Sequence, residues 1–132
     1  MPSPLPTIRP AHAHEADLLR RITREAYTRW VPVIGREPLP MRVDYAAALQ
    51  QHRFDLAEVN GMPVGLIETE RRPDDLWIEN VAVLPGHQGQ GLGKLLLRHA
   101  EDLARTAGLQ DIRLLTNEAF ADNVAIYRRL GY

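Results

Sequence analysis

Gln88-Gly89-Gln90-Gly91-Leu92-Gly93-Lys94 sets three glycines at alternate positions. The segment before it, Leu76 to Val83, is rich in apolar and β-branched residues and reads as a strand. After it, Leu92, Leu96, His99, Leu103 and Ala107 mark one face of a long helix that stops at Gly108. Glycine lets backbone amides approach a ligand closely and adopt unusual dihedrals. A helix start adds unpaired N–H groups and the positive end of its dipole. Together these make a site for a phosphate or pyrophosphate. The alternative is a flexible connection. Alternating glycines followed at once by an amphipathic helix favour the phosphate site.

Two nucleotide motifs fail on residues. The Walker pattern needs Gly-Lys followed by Ser or Thr, but Gly93-Lys94 is followed by Leu95, and Gln88 stands where the first glycine belongs. The Rossmann pattern counted from Gly89 and Gly91 needs Gly or Ala where Lys94 stands.

Working outward, Thr7 to Pro10 reads as a short first strand. Leu18, Leu19, Ile22, Ala26 and Trp30 recur at helical spacing from about Glu15, and Pro32 ends that helix. Asp44 is placed to cap a second helix through Gln51. Arg53 to Val59 and Pro63 to Arg71 read as strands joined by Asn60-Gly61, a type I′ hairpin signal. Pro73-Asp74-Asp75 turns the chain into the strand Leu76 to Val83. Asp111 to Thr116 reads as a further strand, parallel to that one across the helix. Asp122 or Asn123 then opens a predicted last helix carrying Ile126, Tyr127 and Leu130. The expectation is an α+β fold in one domain, 1–132. Its mixed, mostly antiparallel sheet is flanked by helices on both faces, in three αβα layers.

The bulk properties narrow the function. The 16 basic and 17 acidic residues give a net charge of −1, with no electrostatic footprint for nucleic acid. The absence of cysteine excludes a disulfide framework, a Cys-ligated metal and a thiol nucleophile. Met1 to Pro6 has neither the basic start nor the apolar run of a leader, and no stretch approaches a membrane span. A cytoplasmic protein with no membrane or nucleic-acid partner is expected. His12 and His14 with Glu15 read as the solvated start of a helix, so no metal is expected.

Gln88, Gly91 and Gly93 fill every specified position of the Gln/Arg-x-x-Gly-x-Gly/Ala acyl-CoA loop of the GNAT N-acetyltransferase superfamily. Glu79-Asn80-Val81-Ala82-Val83-x-Pro85 resembles that family's central strand. Asn123-x-x-x-Tyr127-x-x-Leu130-Gly131-Tyr132 resembles its last helix. Ile34-Gly35-Arg36, Pro38-x-Pro40-Met41 and Asp44-Tyr45 are similar to a bacterial subfamily with poorly defined substrates.

The resemblance implies acetyl-CoA as acyl donor and direct attack by an amine of a small or amino-acid-like acceptor. Backbone amides of Gln88, Gly89, Gln90, Gly91, Leu92, Gly93 and Lys94 would hold the pyrophosphate, with the Gln88 or Lys94 side chain adding a contact. It also implies a bulge in the central strand, where Val81, Ala82 and Val83 would pair with pantetheine. An amide near Val83 would polarise the thioester carbonyl. An acceptor ammonium must lose a proton before it attacks. Glu79 is the candidate base, with Glu68 in reserve; the alternatives for Glu79 are a solvent-facing side chain or one that orients Asn80 or an arginine. Tyr127 matches the family's acid for the departing thiolate, or is a core aromatic. Asn123 either bonds pantetheine or caps its helix, and Asn117 is open in the same way. Tyr27, Trp30, Arg36, Met41 and Tyr45 are the candidate acceptor-side lining, each with a packing alternative.

The family pattern usually continues past the Leu-Gly-Tyr ending with further strands, and this sequence stops at Tyr132. Three readings stay open: the sequence is truncated, a partner supplies the missing edge, or the site is incomplete. An open sheet edge invites pairing with another chain, which makes a homodimer one assembly to test. Two other functions are weighed: a non-catalytic CoA-binding regulatory module, and acetylation of protein N-termini or lysines.

Overall fold

The computed structural model describes residues 5–28, 32, 43–115 and 125–129. Its elements are β1 (Thr7–Pro10), α1 (Ala16–Tyr27), α2 (Tyr45–Gln51), β2 (Arg53–Val59), β3 (Met62–Arg71), β4 (Asp75–Val83), α3 (Leu92–Thr106), β5 (Asp111–Leu115) and β6 (Ala125–Arg129). The strands form one sheet in the order β1-β2-β3-β4-β5-β6. Every pairing is antiparallel except β4 with β5, which the α3 crossover makes parallel.

Local chemistry sets these boundaries. Asp44 caps α2, its side chain accepting from the N–H groups of Ala46 and Ala47. Asn60 and Gly61 both have positive φ, 55° and 75°, as a type I′ turn demands. Beyond α3, Gly108 has φ 77° and turns the chain toward β5.

Helices cover both faces. On one face α3 buries Leu92, Leu96, Ala100 and Ala104 against Ala57, Ile67, Leu76, Ile78 and Ile112. On the other, α1 and α2 bury Leu19, Ile22, Ala26 and Tyr45 against Phe54, Leu56, Leu66 and Ala82. A buried charge pins the α3 side: Asp55, fully enclosed, pairs with Arg53 at 2.8 Å and lies 3.3 Å from His99.

Gly65 sits in a tight spot between β4 and α3. A Cβ there would stand 3.1 Å from the Ala82 carbonyl oxygen and 3.4 Å from Leu96 Cδ1. Gly65→Val is expected to lose about 1–3 kcal/mol of stability through overpacking. Urea unfolding measures this, and wild-type stability would mean that α3 shifts freely off the strand.

Two expectations need correction. The last helix does not form over Ala125–Arg129: this stretch is β6, paired antiparallel with β5 through Arg113↔Tyr127 and its neighbours. Ile126 and Tyr127 favour extended backbone, and pairing satisfies β5's outer edge, which a helix would leave bare. The first helix ends at Tyr27, before Pro32, with Thr28 as its C-cap and the Thr28 hydroxyl donating to the Arg24 carbonyl.

Candidate active site

β4 carries the site because its pairing changes along its length. It pairs with β5 only from Asp75 to Ile78. Beyond that, among the described residues, the β5 side of β4 is open. On the β3 side, Leu84 N–H donates to the Val64 carbonyl at 2.8 Å. Antiparallel alternation then turns the peptide groups of Val81 and Val83 away from β3, into the opening. The Tyr27 hydroxyl shares its one hydrogen between Asn80 Oδ1 at 3.0 Å and the Val81 carbonyl at 3.2 Å, and Gln88 Nε2 donates to the Val83 carbonyl at 2.9 Å. Both carbonyls are therefore engaged, and the Val81 and Val83 N–H groups face the same opening.

A bulge lies at the start of this free stretch. Thr69 pairs with Ile78 and Glu68 with Asn80, so Glu79 has no partner across the ladder. A bulge places two successive side chains on one face. Leu76 and Ile78 point toward α3, whereas Asn80 bonds groups of α1 and α2. Asn80 is buried at 3% exposure, accepting from Tyr27 OH at 3.0 Å and donating to Thr23 Oγ1 at 3.2 Å and Tyr45 OH at 3.4 Å.

Glu79 is half-buried on that face. Its carboxyl is pushed above its ordinary value, first by burial and then by a hydrogen bond with Glu70. Glu68, 5% exposed, is also raised by burial, while its bond to His52 Nδ1 at 2.6 Å opposes the rise. His52, Glu70 and Glu79 each bring one donor atom within 4.8 Å of the others.

The glycine loop follows. After a 3₁₀ turn at Pro85–His87, Gly89 and Gly91 take φ 79° and 84°, and Gly91 caps α3 in the left-handed region. The first intrahelical bond of α3 runs from Leu95 N–H to the Gly91 carbonyl. The N–H groups of Leu92, Gly93 and Lys94 thus stand at the orphan end of the helix. A Cβ on Gly91 or Gly93 would meet nothing within 4 Å. Gly93 has no positive φ either. Local packing gives no reason for glycine there, whereas a ligand lying against the helix start does.

Several expected site residues change character. The Gln88 side chain fastens the loop to β4 through Val83. Tyr27, expected on the acceptor side, is a strut from α1 to β4, its hydroxyl pushed up to about 12 by burial. Tyr45 carries its ring into the core at 3% exposure, edge-on to Phe54. Tyr127 lies on β6 in line with Arg113, one strand beyond β5 from β4. The helical-face argument linking it to Asn123 therefore falls. Asn117, Asn123, Trp30, Arg36 and Met41 lie outside the described residues.

Sequence reasoning missed Asn80 as a hub and His52 and Glu70 as neighbours of Glu79. Counting back from the Asn60-Gly61 turn would have set β2 against β3 and brought the start of β2 opposite Glu68.

Among the described residues, no helix is long and apolar enough to cross a membrane. Residues 17–132 match the model of the acetyltransferase (GNAT) family. The streptothricin acetyltransferase of Streptomyces lavendulae is 42% identical over 57 residues, 43% of this chain and 30% of that protein. The ribosomal protein bS18-alanine N-acetyltransferase of Escherichia coli K12 is 33% identical over 79 residues, 60% of this chain and 53% of that protein. The chain thus spans about a third to a half of these relatives. The PaiA N-acetyltransferase of Thermoplasma acidophilum, solved with coenzyme A, superposes with TM-score 0.74 at 19% identity, covering 85% of this chain and 79% of that one. A GNAT-family acetyltransferase of Brucella melitensis, solved with acetyl-CoA, superposes with TM-score 0.73 at 23% identity, covering 97% and 90%.

Proposed function

Because the chain belongs to the acetyltransferase (GNAT) family, we propose that it transfers an acetyl group from acetyl-CoA to a primary amine by direct attack. The acceptor is a small or amino-acid-like molecule. One observation carries this reading: the edge of β4 at Val81 and Val83, free among the described residues, leads to the glycine-opened start of α3. That edge suits pantetheine, and the orphan N–H groups of Leu92 to Lys94 suit the pyrophosphate.

Glu79 takes a proton from the acceptor ammonium, and the freed amine attacks the thioester carbon. The Val83 N–H stabilises the oxyanion that forms. The carbon–sulfur bond then breaks and the thiolate takes a proton. Tyr127 is the proposed donor for that last step, on the family resemblance. Tyr127→Phe is expected to keep acetyl-CoA binding and lower turnover, with stopped-flow thiol release as the readout. Wild-type rates from pH 6 to 9 would remove Tyr127 from the role.

The bS18-alanine N-acetyltransferase relative favours a second acceptor class, protein N-termini. The test is thiol release from acetyl-CoA with a panel of small amines, amino acids and N-terminal peptides. Release with small amines supports the reading. Release with peptides alone moves the acceptor to proteins, and binding without release with any amine supports a regulatory CoA module.

A further inference from the structure

The face under α1 and α2 holds more ionisable groups than one base requires. His52, just past α2, lies with Nδ1 2.6 Å from Glu68 Oε2 and Nε2 3.5 Å from Glu70 Oε2. Arg72, in the turn after β3, lies 3.4 Å from Glu70 Oε2. Glu79, released from the ladder by the bulge, joins the group through Glu70. Accessibility rises along this series: the side chain of Glu68 is 7% exposed, His52 21% and Glu70 33%.

A purely structural account covers the His52–Glu68 pair but not the rest. His52, Glu70 and Glu79 each bring one polar atom within 4.8 Å of the others, close enough for a proton to pass among them directly or through one water. When Glu68 is ionised, Nδ1 of His52 carries the hydrogen that it accepts, leaving Nε2 toward Glu70 as the atom that takes or gives a proton. We propose that Glu70 and His52 are positioning residues that pass the proton taken by Glu79 to solvent, with Glu68 fixing the imidazole. This rests on the acyl-transfer reading and deepens it.

The proton balance is complete. The acceptor ammonium gives one proton to the Glu79 carboxylate. The neutral amine then forms the carbon–nitrogen bond as the carbon–sulfur bond breaks, and the second nitrogen proton ends on the CoA thiolate. One proton is left per turnover, on Glu79. It crosses to Glu70 and leaves through His52 or directly to water, restoring the base. Among the described residues the other titratable groups on this face include Arg9, which pairs with Glu15 at 2.8 Å and Glu58 at 3.1 Å, and Tyr27 from α1 and Tyr45 from α2. Burial pushes both tyrosine hydroxyls up to about 12, so both keep their protons at neutral pH and neither gives one up to the path.

Glu70→Gln and His52→Gln separate this from a structural role, because the two changes act on Glu79 in opposite directions. Glu70 raises the Glu79 carboxyl and the His52 charge lowers it. Glu70→Gln is expected to move the acid limb of kcat/KM to lower pH, and His52→Gln to move it to higher pH. Plateau rates should fall roughly tenfold in both, with Glu70→Asp restoring part of the loss. Acetyl-CoA affinity should stay at the wild-type value. Carboxyl ¹³C NMR titration of Glu79 reads the same displacements without turnover, so the result stands even where no acceptor is acetylated. Opposite displacements support the path. Unmoved Glu79 titration in both variants overturns it, while thiol release by the wild type leaves the acyl-transfer reading intact. Activity lost to EDTA and restored by zinc also overturns it, in favour of a cation at the same atoms.

Discussion

Glu79→Gln is expected to lower kcat by about 10²–10⁴-fold, the usual contribution of a positioned base. Acetyl-CoA binding should be unchanged, because the groups proposed to hold CoA are the backbone of Val81 to Val83 and the start of α3. The stability change should run the other way. The Glu79 carboxyl lies above its ordinary value in the folded chain, through burial and Glu70. The folded state therefore binds this proton more tightly than the unfolded state. Its effect on stability turns unfavourable as pH rises above the unfolded value of about 4.3. Glutamine removes the charge, so at pH 7 the variant should be at least as stable as wild type, with the difference vanishing near pH 4. Urea unfolding at the two pH values checks the sign. A variant less stable at pH 7 would make Glu79 a structural carboxylate, and wild-type turnover would remove it as the base.

Gly93→Trp is expected to weaken acetyl-CoA binding at least 100-fold while preserving the fold. Gly91 is the more obvious target, but its φ of 84° strains any side chain, so loss of binding there would mix with loss of structure. Gly93 lies within α3 and a Cβ there meets nothing within 4 Å. A side chain at this position improves helix propensity by up to about 1 kcal/mol relative to glycine. An indole would fill the space that a pyrophosphate needs against the N–H groups of Leu92 to Lys94. Each charge-assisted bond lost contributes about 1.5–3 kcal/mol, so two account for the expected drop. Isothermal titration with acetyl-CoA, alongside circular dichroism, separates the two effects. Full affinity in the folded variant would place the pyrophosphate elsewhere.

Much of the fold was legible because local chemistry sets it. Asp44 caps α2, Asn60-Gly61 closes the β2–β3 hairpin, and Gly108 ends α3, each through a preference that one or two residues carry. The loop was legible for the same reason, its glycines being demanded by backbone geometry at Gly89 and Gly91, while Gly93 leaves room against the helix start. What was hidden depends on pairing across the sheet. The resemblance implies a bulge in β4, but only the register sets it at Glu79, where it turns that side chain and Asn80 toward α1 and α2. His52 and Glu70 reach Glu79 only through the register of three strands. Tyr45 reads as a pocket residue by sequence neighbourhood, but α2 turns it into the core. Ala125–Arg129 reads as helix by its spacing, yet β5 offers it an edge to pair with.

The central claim is that this chain holds CoA along β4 and at the start of α3. Thermal unfolding of the purified protein with acetyl-CoA, CoA, NAD and ATP in parallel tests it most directly. Binding to the folded state alone adds about 2.7 kcal/mol at a hundredfold excess over the dissociation constant. The account predicts an upward shift with acetyl-CoA and CoA and none with NAD or ATP. No shift with either CoA compound, or an equal shift with all four, would contradict it.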